Sequence, residues 1–217
     1  MARPRSQGYD AQREQLLGAA ARLFASQGYT ATTMQQVAEA AGVGKATLYH
    51  YVRDKPALLA AIAGGHVARL LALVDEVAAE AARERLAPEP HLARLIERFL
   101  RAYANAQNEH RVLTEDVKFL PEAEREALLA GQRRVVQAFA DAVAAIRPEL
   151  APARLAKPVA MLLFGMINWT FTWLRPDGTL SYAALGEMVA DLFFGGLPAV
   201  TGTLAPAQAR GAGPGLG

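Results

Sequence analysis

The sequence contains no cysteine, so disulfide bonds, zinc–thiolate sites and cysteine nucleophiles are all excluded. Its four histidines, His50, His66, His91 and His110, are scattered, and no two of them lie four residues apart. The H-E-x-x-H, G-x-S-x-G and P-loop patterns of common hydrolytic and nucleotide-binding sites do not occur. We therefore predict that the protein is not an enzyme and that it holds neither a metal ion nor a cofactor.

The chain also lacks a segment typical of secretion. Its first ten residues, MARPRSQGYD, are polar and basic and contain no apolar stretch. A stretch of 17 residues without charge lies between Lys157 and Arg175, which is the lower limit for a membrane span, and Asn168, Thr170 and Thr172 interrupt it. We expect this stretch to form a buried helix and the protein to be cytoplasmic, with no membrane partner.

Positive charge is concentrated near the N-terminus. The 217 residues, of which 52% are hydrophobic, are enough to bury the core of one or two domains. The formal net charge is only +2, but residues 1–70 carry eight basic and four acidic residues, a net charge of +4. The remaining residues carry 15 basic and 17 acidic residues, a net charge of −2. A basic N-terminal part is typical of proteins that bind nucleic-acid phosphates.

Residues 33–52 have the pattern of two short helices joined by a tight turn. Thr33 stands before the first helix with Gln36 three residues later, which is the capping-box spacing. Gly42 can adopt the left-handed conformation that ends a helix. The first helix carries an apolar stripe at helical spacing, formed by Met34, Val37, Ala38 and Ala41.

The second of these helices is predicted to present a polar face. If Leu48, Tyr51 and Val52 face inward, the outer face carries Lys45, Ala46, Thr47, Tyr49 and His50. Such a helix can enter a DNA major groove and contact phosphates. The alternative is a helical hairpin with a solvated polar face. The position of Lys45 favours the DNA-binding interpretation, because a cation is disfavoured at the N-terminal end of a helix unless an anion lies nearby.

Residues 12–63 resemble the N-terminal domain of the TetR family of transcriptional repressors. The resemblance is carried by Ala20-Ala-Arg-Leu-Phe24, Gly28-Tyr29, Thr32-Thr-Met34, Val37-Ala38, Gly42-Val43, Thr47-Leu-Tyr49, Lys55 and Leu58-Leu59. It implies that Lys45 and Ala46 approach base edges, whereas most of the other polar residues hold phosphates. The predicted DNA-binding residues are Thr33, Gln35, Lys45, Ala46, Thr47, Tyr49, His50, Tyr51 and Lys55.

Two positions depart from the family pattern. Gly44 stands where serine is common, and Val52 stands where phenylalanine is frequent. Neither change argues against the fold, but Gly44 and Ala46 have little or no side chain and so offer few contacts to base edges.

The rest of the chain also has helical patterns, so the predicted fold class is all-α. Asp54 is expected to cap a long helix that runs toward Arg85, with Pro56 in its first turn. Other helices are predicted at about residues 10–27, 91–108, 110–119, 122–146, 152–174 and 181–197, with Ser181 capping the last. The predicted organisation is a basic flexible arm at 1–9, a three-helix DNA-binding domain at 10–70 with its helix-turn-helix at 33–52, a larger helical ligand-binding and dimerisation domain at 71–200, and a disordered tail at 201–217.

The last two predicted helices, at 152–174 and 181–197, are apolar on more than one face. A helix that is apolar all round is buried on all sides. Pairing with the same two helices of a second copy would bury these faces and place two recognition helices on a palindromic operator. The resemblance also implies such a homodimer. The predicted interface residues are Met161, Phe164, Gly165, Leu185, Val189, Leu192 and Phe193.

The resemblance further implies a ligand cavity in the C-terminal domain. The predicted lining residues are Leu95, Phe99, Tyr103, Leu113, Val117, Phe139, Val143, Asn168 and Trp169. The segments Gly165-Met-Ile-Asn-Trp169, Trp173-Leu-Arg-Pro-Asp-Gly178 and Leu180-Ser181 resemble TetR-type regulators that respond to acyl-coenzyme A thioesters. An acyl-CoA needs an apolar slot and cations for its phosphates, for which the candidates are Arg98, Arg101, Arg133 and Arg134.

These features favour a repressor that leaves its operator when a ligand changes the spacing of the recognition helices. Two alternatives stay open. One is a small-molecule or lipid carrier that retains the helix-turn-helix without specific DNA binding, and the other is an activator.

Overall fold

The computed structural model describes residues 7–175 and 178–201, and within these ranges it is helical with no strand. This confirms the predicted all-α class. The α-helices of the described ranges are α1 (Gln7–Gln27), α2 (Met34–Ala40), α3 (Lys45–Tyr51), α4 (Lys55–Glu84), α5 (Pro88–Asn105), α6 (Gln107–Glu115), α7 (Glu122–Ile146), α8 (Ala156–Ile167), α9 (Thr170–Trp173) and α10 (Tyr182–Gly196). Three short 3₁₀ turns lie at Val117–Phe119, Pro148–Leu150 and Leu197–Ala199. Residues 1–6 of the predicted arm and residues 202–217 of the predicted tail lie outside the described residues.

The helices α1 to α3 and the first half of α4 enclose one hydrophobic core, to which α6 and α7 also contribute buried residues. The predicted capping box of α2 is present, because the Thr33 hydroxyl accepts from the Gln36 backbone N–H and the Gln36 carboxamide oxygen accepts from the Thr33 backbone N–H. Gly28 and Gly42 have φ values of 90° and 67°, which end α1 and reverse the chain after α2. These local signals set the α2–α3 hairpin against α1.

The 30-residue helix α4 joins this core to a second one. Its first turn is capped by Asp54, which accepts from the Ala57 backbone N–H at 2.8 Å. At 1.5 Å per residue α4 spans about 45 Å. Its buried apolar residues up to Val67 pack in the N-terminal core, whereas Leu70 and Val77 pack in the C-terminal core. Both cores therefore share one continuous helix.

Among the described residues, α4 is the one helix long and apolar enough to cross a membrane, with a mean hydropathy of 1.9 over an 18-residue window. A core helix of a soluble protein passes the same test. The buried apolar residues of α4 belong to the two cores, and 39% of this apolar window is buried within the structure.

The helices α5, α7, α8 and α10 build the C-terminal core. Its centre is aromatic: the Phe99 and Phe139 ring centroids are 4.8 Å apart, and those of Phe139 and Phe164 are 4.7 Å apart. The helix α7 also packs against α4. The two helices approach closely at Gly131, where an added Cβ would lie 2.6 Å from Val67 Cγ1.

Several helix boundaries differ from the predictions. The helix α1 begins at Gln7, inside the predicted arm, and α5 begins at Pro88 rather than near residue 91. Proline is tolerated in a first helical turn, where its missing N–H has no partner to lose. The helix predicted at 110–119 is divided into α6 and the 3₁₀ turn Val117–Phe119.

The helix predicted at 152–174 begins later and is interrupted. Arg154 has a φ of 57°, and α8 starts only at Ala156. At its other end the Asn168 carbonyl oxygen faces His110, and the Thr172 backbone N–H donates to the Trp169 carbonyl oxygen at 3.0 Å instead. The helix is therefore interrupted between α8 and α9.

Candidate DNA-binding surface and ligand cavity

The helix α3 presents the predicted polar face. Leu48 is fully buried and Val52 nearly so, which anchors the helix in the N-terminal core. The side chains of Lys45, Ala46, Thr47, Tyr49 and His50 are exposed. Lys45, Thr47 and Tyr49 make no hydrogen bond or ion pair with another described residue, so their polar groups are available to a partner.

The far end of α3 is braced by α1. The Tyr51 hydroxyl donates to the Gln12 side-chain oxygen at 2.6 Å, and the Tyr51 ring lies 4.6 Å from the Tyr9 ring. Tyr9 also makes an edge contact with His50. Tyr9 and Gln12 are not among the predicted residues, because nothing local relates them to residues about 40 positions later.

The remaining predicted DNA-binding residues make contacts within the chain. The Lys55 ammonium donates to the Thr30 and Thr32 carbonyl oxygens at 3.2 and 2.8 Å and lies 4.4 Å from the Tyr29 ring centroid. Burial lowers the pKa of Lys55. The Gln35 carboxamide donates to Glu39 at 2.8 Å, and the Thr33 hydroxyl belongs to the capping box.

A cavity of about 380 Å³ lies between α4, α5, α6, α7 and α8. It is lined by Val67, Leu70, Tyr103, His110, Leu113, Thr114, Val117, Leu129, Gln132, Val135, Val136, Met161, Phe164, Asn168 and Trp169. Five of the nine predicted lining residues are among these: Tyr103, Leu113, Val117, Asn168 and Trp169. The other four, Leu95, Phe99, Phe139 and Val143, are buried in the C-terminal core and do not line the cavity.

The cavity wall contains a polar cluster that the sequence analysis missed in part. The Tyr103 hydroxyl donates to Asn168 Oδ1 at 3.0 Å, and the Tyr103 ring stacks on the His110 ring at 3.8 Å. His110 and Gln132 were missed because the cavity prediction relied on apolar spacing. None of the described lining residues is an acidic residue, lysine or arginine.

The four arginines proposed to hold phosphates are not equivalent. Arg98 forms an ion pair with Glu80, and Arg101 forms one with Glu97 at 2.6 Å. Arg133 lies 3.7 Å from Glu126, whereas Arg134 is exposed and forms no ion pair with a described residue. Arg133 and Arg134 lie on α7, which also lines the cavity.

Models of known families match most of the chain. The model described as "Bacterial regulatory proteins, tetR family" matches residues 16–62, and that described as "Tetracyclin repressor-like, C-terminal domain" matches residues 85–197. The chain belongs to the TetR family. Members of this family are transcriptional regulators rather than enzymes, which confirms that prediction.

Individual TetR-family proteins are similar over different parts of the chain. The crystal structure of a TetR-family transcriptional regulator from Bordetella parapertussis 12822 is 35% identical, covers 87% of this chain and 97% of its own, and has a TM-score of 0.80. The HTH-type transcriptional repressor KstR2 of Rhodococcus jostii (strain RHA1) is 36% identical over 72 residues, which are 33% of this chain and 35% of KstR2. The match thus spans about a third of that repressor.

AibR, in a crystal structure with isovaleryl coenzyme A and operator DNA, is 22% identical to this chain. It covers 83% of this chain and 97% of its own, with a TM-score of 0.70. At this identity the likeness concerns the fold.

An apolar face of the TetR-type C-terminal domain is exposed along α8 and α10. Of the seven predicted interface residues, Met161, Gly165 and Leu192 are exposed, whereas Phe164, Leu185, Val189 and Phe193 are buried in the chain's own core. Leu162 and Met188 complete the exposed face, with Leu162 69% and Leu192 64% exposed. The sequence pattern could not distinguish the inward from the outward apolar residues.

Proposed function

We propose that the protein is a homodimeric, ligand-responsive transcriptional repressor, which binds a palindromic operator and is released from it by a small-molecule effector. The observation that carries this proposal is the exposed face of α3, where Lys45, Thr47 and Tyr49 have no partner among the described residues. A cation and hydroxyls on a short, anchored helix suit contacts in a DNA major groove. The protein would act in the cytoplasm, where its DNA lies.

The other predicted DNA-binding residues surround this face. Thr33 and Gln35 belong to the start of α2, and His50 and Tyr51 to the end of α3. Lys55 remains a candidate for a phosphate contact, because an ammonium has three N–H donors and the loop carbonyls accept two of them.

The exposed apolar face on α8 and α10 supports the homodimer. An apolar patch rimmed by polar residues marks an interaction site, and a twofold interface uses the same patch on both copies. Two α3 helices related by that axis would meet successive major grooves of a palindromic site.

The cavity supports an effector of which the buried part is uncharged. Its volume lies toward the low end of the range for small-molecule sites, about 300–1,000 Å³. We propose an acyl-CoA thioester, since AibR, a protein of this fold, was crystallised with isovaleryl coenzyme A. A short acyl group would occupy the cavity, and the phosphates would lie outside it near Arg133 and Arg134.

The proposed mechanism is an equilibrium between two spacings of the DNA-binding domains. Without ligand the dimer fits the operator, and the ligand favours a conformation in which it does not. The change in operator affinity can be no larger than the ligand's differential affinity for the two conformations.

The test is a binding titration with the DNA upstream of the protein's own gene. It is run at two salt concentrations, with and without a pool of acyl-CoA thioesters. We expect tight, salt-sensitive binding that the pool releases and that the double variant Lys45→Ala, Tyr49→Ala loses. Binding that the pool leaves unchanged would remove the acyl-CoA effector and keep the repressor.

The carrier alternative predicts a different result. A carrier would bind its ligand normally in the Lys45→Ala, Tyr49→Ala variant and would show only weak, non-specific DNA binding in the wild type. If no sequence selected from random DNA binds better than unselected DNA, the repressor proposal is wrong.

A further inference from the structure

A chain of hydrogen bonds crosses the interior from α8 to α4. The His110 ring lies between the Asn168 carbonyl oxygen, 2.9 Å from Nε2, and His66 Nε2, 3.2 Å from Nδ1. Both imidazoles are nearly inaccessible to solvent. Burial lowers the pKa of His66 to about 3 and the pKa of His110 to about 4, so both rings are neutral near pH 7 and carry one proton each.

These hydrogen bonds can have only one donor-to-acceptor direction. A carbonyl oxygen only accepts, so His110 donates from Nε2 to Asn168, and the lone pair of His110 Nδ1 faces α4. His66 must therefore donate from Nε2, which leaves His66 Nδ1 as an acceptor. That nitrogen is the one buried side-chain polar atom of the described residues without a hydrogen-bond partner. An apolar residue at position 66 would avoid this unfavourable burial, so the imidazole is explained by its bond to His110.

The two histidines lie where the hydrophobic cores meet. On α4, Val67 packs in the N-terminal core and Leu70 in the C-terminal core. On α6, Leu113 packs in the N-terminal core and also lines the cavity, together with His110. The helix α6 packs against both α1 and α4. The helix α6 therefore contacts both the cavity and the DNA-binding helices, and close-packed interiors of this kind transmit strain.

We propose that the chain from Asn168 through His110 to His66 couples the cavity to the DNA-binding domain. A ligand that hydrogen-bonds to Asn168 shifts the end of α8, changes the His110 bond and so repositions α4. His66 is a positioning residue, since it does not line this cavity. The inference rests on the proposed function, because it requires DNA on α3 and a ligand in the cavity.

The same geometry defines the ligand group. Asn168 Oδ1 accepts from Tyr103, and the Asn168 amide nitrogen has no hydrogen-bond partner among the described residues. A carboxylate in this cavity would find no cation among the described lining residues and would be costly to bury. The group that Asn168 recognises is therefore an uncharged acceptor, such as the carbonyl of a thioester, ester or amide.

The test compares the full-length wild type with His66→Leu and His66→Gln, using isovaleryl coenzyme A and isovaleric acid as probes. Trp169 lines the cavity and is one of two tryptophans, so tryptophan fluorescence reports ligand binding. Fluorescence anisotropy of labelled operator DNA gives the coupling ratio, which is the operator Kd at saturating probe divided by the Kd without probe. The matched control is His91→Leu, which replaces a histidine of α5 that takes no part in the hydrogen bonds between Asn168, His110 and His66.

We expect the thioester to bind and the free acid not to bind, with a wild-type coupling ratio of about ten or more. His66→Leu should bind thioester and DNA within about threefold of the wild type, yet lose most of the coupling ratio. His66→Gln should restore it, because its amide can donate to His110 Nδ1. An unchanged coupling ratio in His66→Leu would overturn the inference.

A second measurement separates this inference from the effector class. If no thioester changes the tryptophan fluorescence, the acyl-CoA effector is wrong, and the hydrogen bonds are tested without an effector. The ring ¹⁵N chemical shifts of the wild type must then show both His66 and His110 as the Nε2–H tautomer, because the hydrogen bonds to Asn168 and between the two rings require it. An Nδ1–H tautomer at either ring would overturn the inference, and the same measurement serves as the test if His66→Leu does not fold.

Discussion

Replacing Gly131 by alanine should destabilise the protein, although alanine is the better helix former. A Cβ at this position would lie 2.6 Å from Val67 Cγ1 on α4, well inside van der Waals contact. Valine in a helix has one strongly preferred rotamer, so its methyl group cannot turn away cheaply. Overpacking of this kind costs about 1–3 kcal/mol, against a gain of about 1 kcal/mol from replacing a helical glycine by alanine.

Gly64→Ala is the matched control. Gly64 also lies inside a long helix and is partly buried, but an added Cβ would have no atom within 4 Å. This variant should be more stable than the wild type by up to about 1 kcal/mol. The difference between the two variants isolates the steric effect at about 1–3 kcal/mol. For a chain of this size that corresponds to a difference in Tm of roughly 2–12 °C.

The assay is urea unfolding followed by circular dichroism, at one protein concentration because the apparent stability of the proposed dimer would depend on it. Equal stability of Gly131→Ala and Gly64→Ala would refute the steric reasoning. A double-mutant cycle locates the clash, since Val67→Ala should cost less in the Gly131→Ala background than in the wild type.

Three further predictions concern the cap, the buried imidazoles and the exposed apolar face. Thr33→Ala removes the capping hydroxyl of α2 and should lower the free energy of unfolding by about 1 kcal/mol; an unchanged urea midpoint would show that the cap contributes nothing. The pKa of His66 falls to about 3 on folding, so below pH 6.5 the unfolded chain binds a proton that the folded chain does not. The free energy of unfolding therefore decreases as the pH is lowered. His66→Gln should therefore lose about 1 kcal/mol less than the wild type between pH 6 and pH 5, and parallel urea-derived pH profiles would contradict this assignment. The double variant Leu162→Glu, Leu192→Glu should be a folded monomer by light scattering with unchanged circular dichroism, and a dimer of this variant would place the interface elsewhere.

The features that sequence analysis predicted well depend on neighbours within one helical turn. The capping box at Thr33, the cap at Asp54 and the left-handed Gly42 all involve groups separated by a few residues along the chain. The inward position of Leu48 likewise follows from helical periodicity, so the exposed face of α3 could be predicted from the sequence. Apolar periodicity and the resemblance together pointed to a C-terminal cavity, but apolar spacing did not separate lining residues such as Leu113 from filled core such as Phe139.

The sequence by itself determined the helical class, the caps at Thr33 and Asp54 and the polar face of α3, because each is decided by local backbone and side-chain chemistry. The tertiary structure decided which apolar residues face inward on α8 and α10, since periodicity describes a helix but does not name its partner. It also decided the break at Asn168 and the contact between His66 and His110, which are 44 residues apart along the chain. Such contacts exist only after two helices have packed, and a buried imidazole has the same sequence signal as an exposed one.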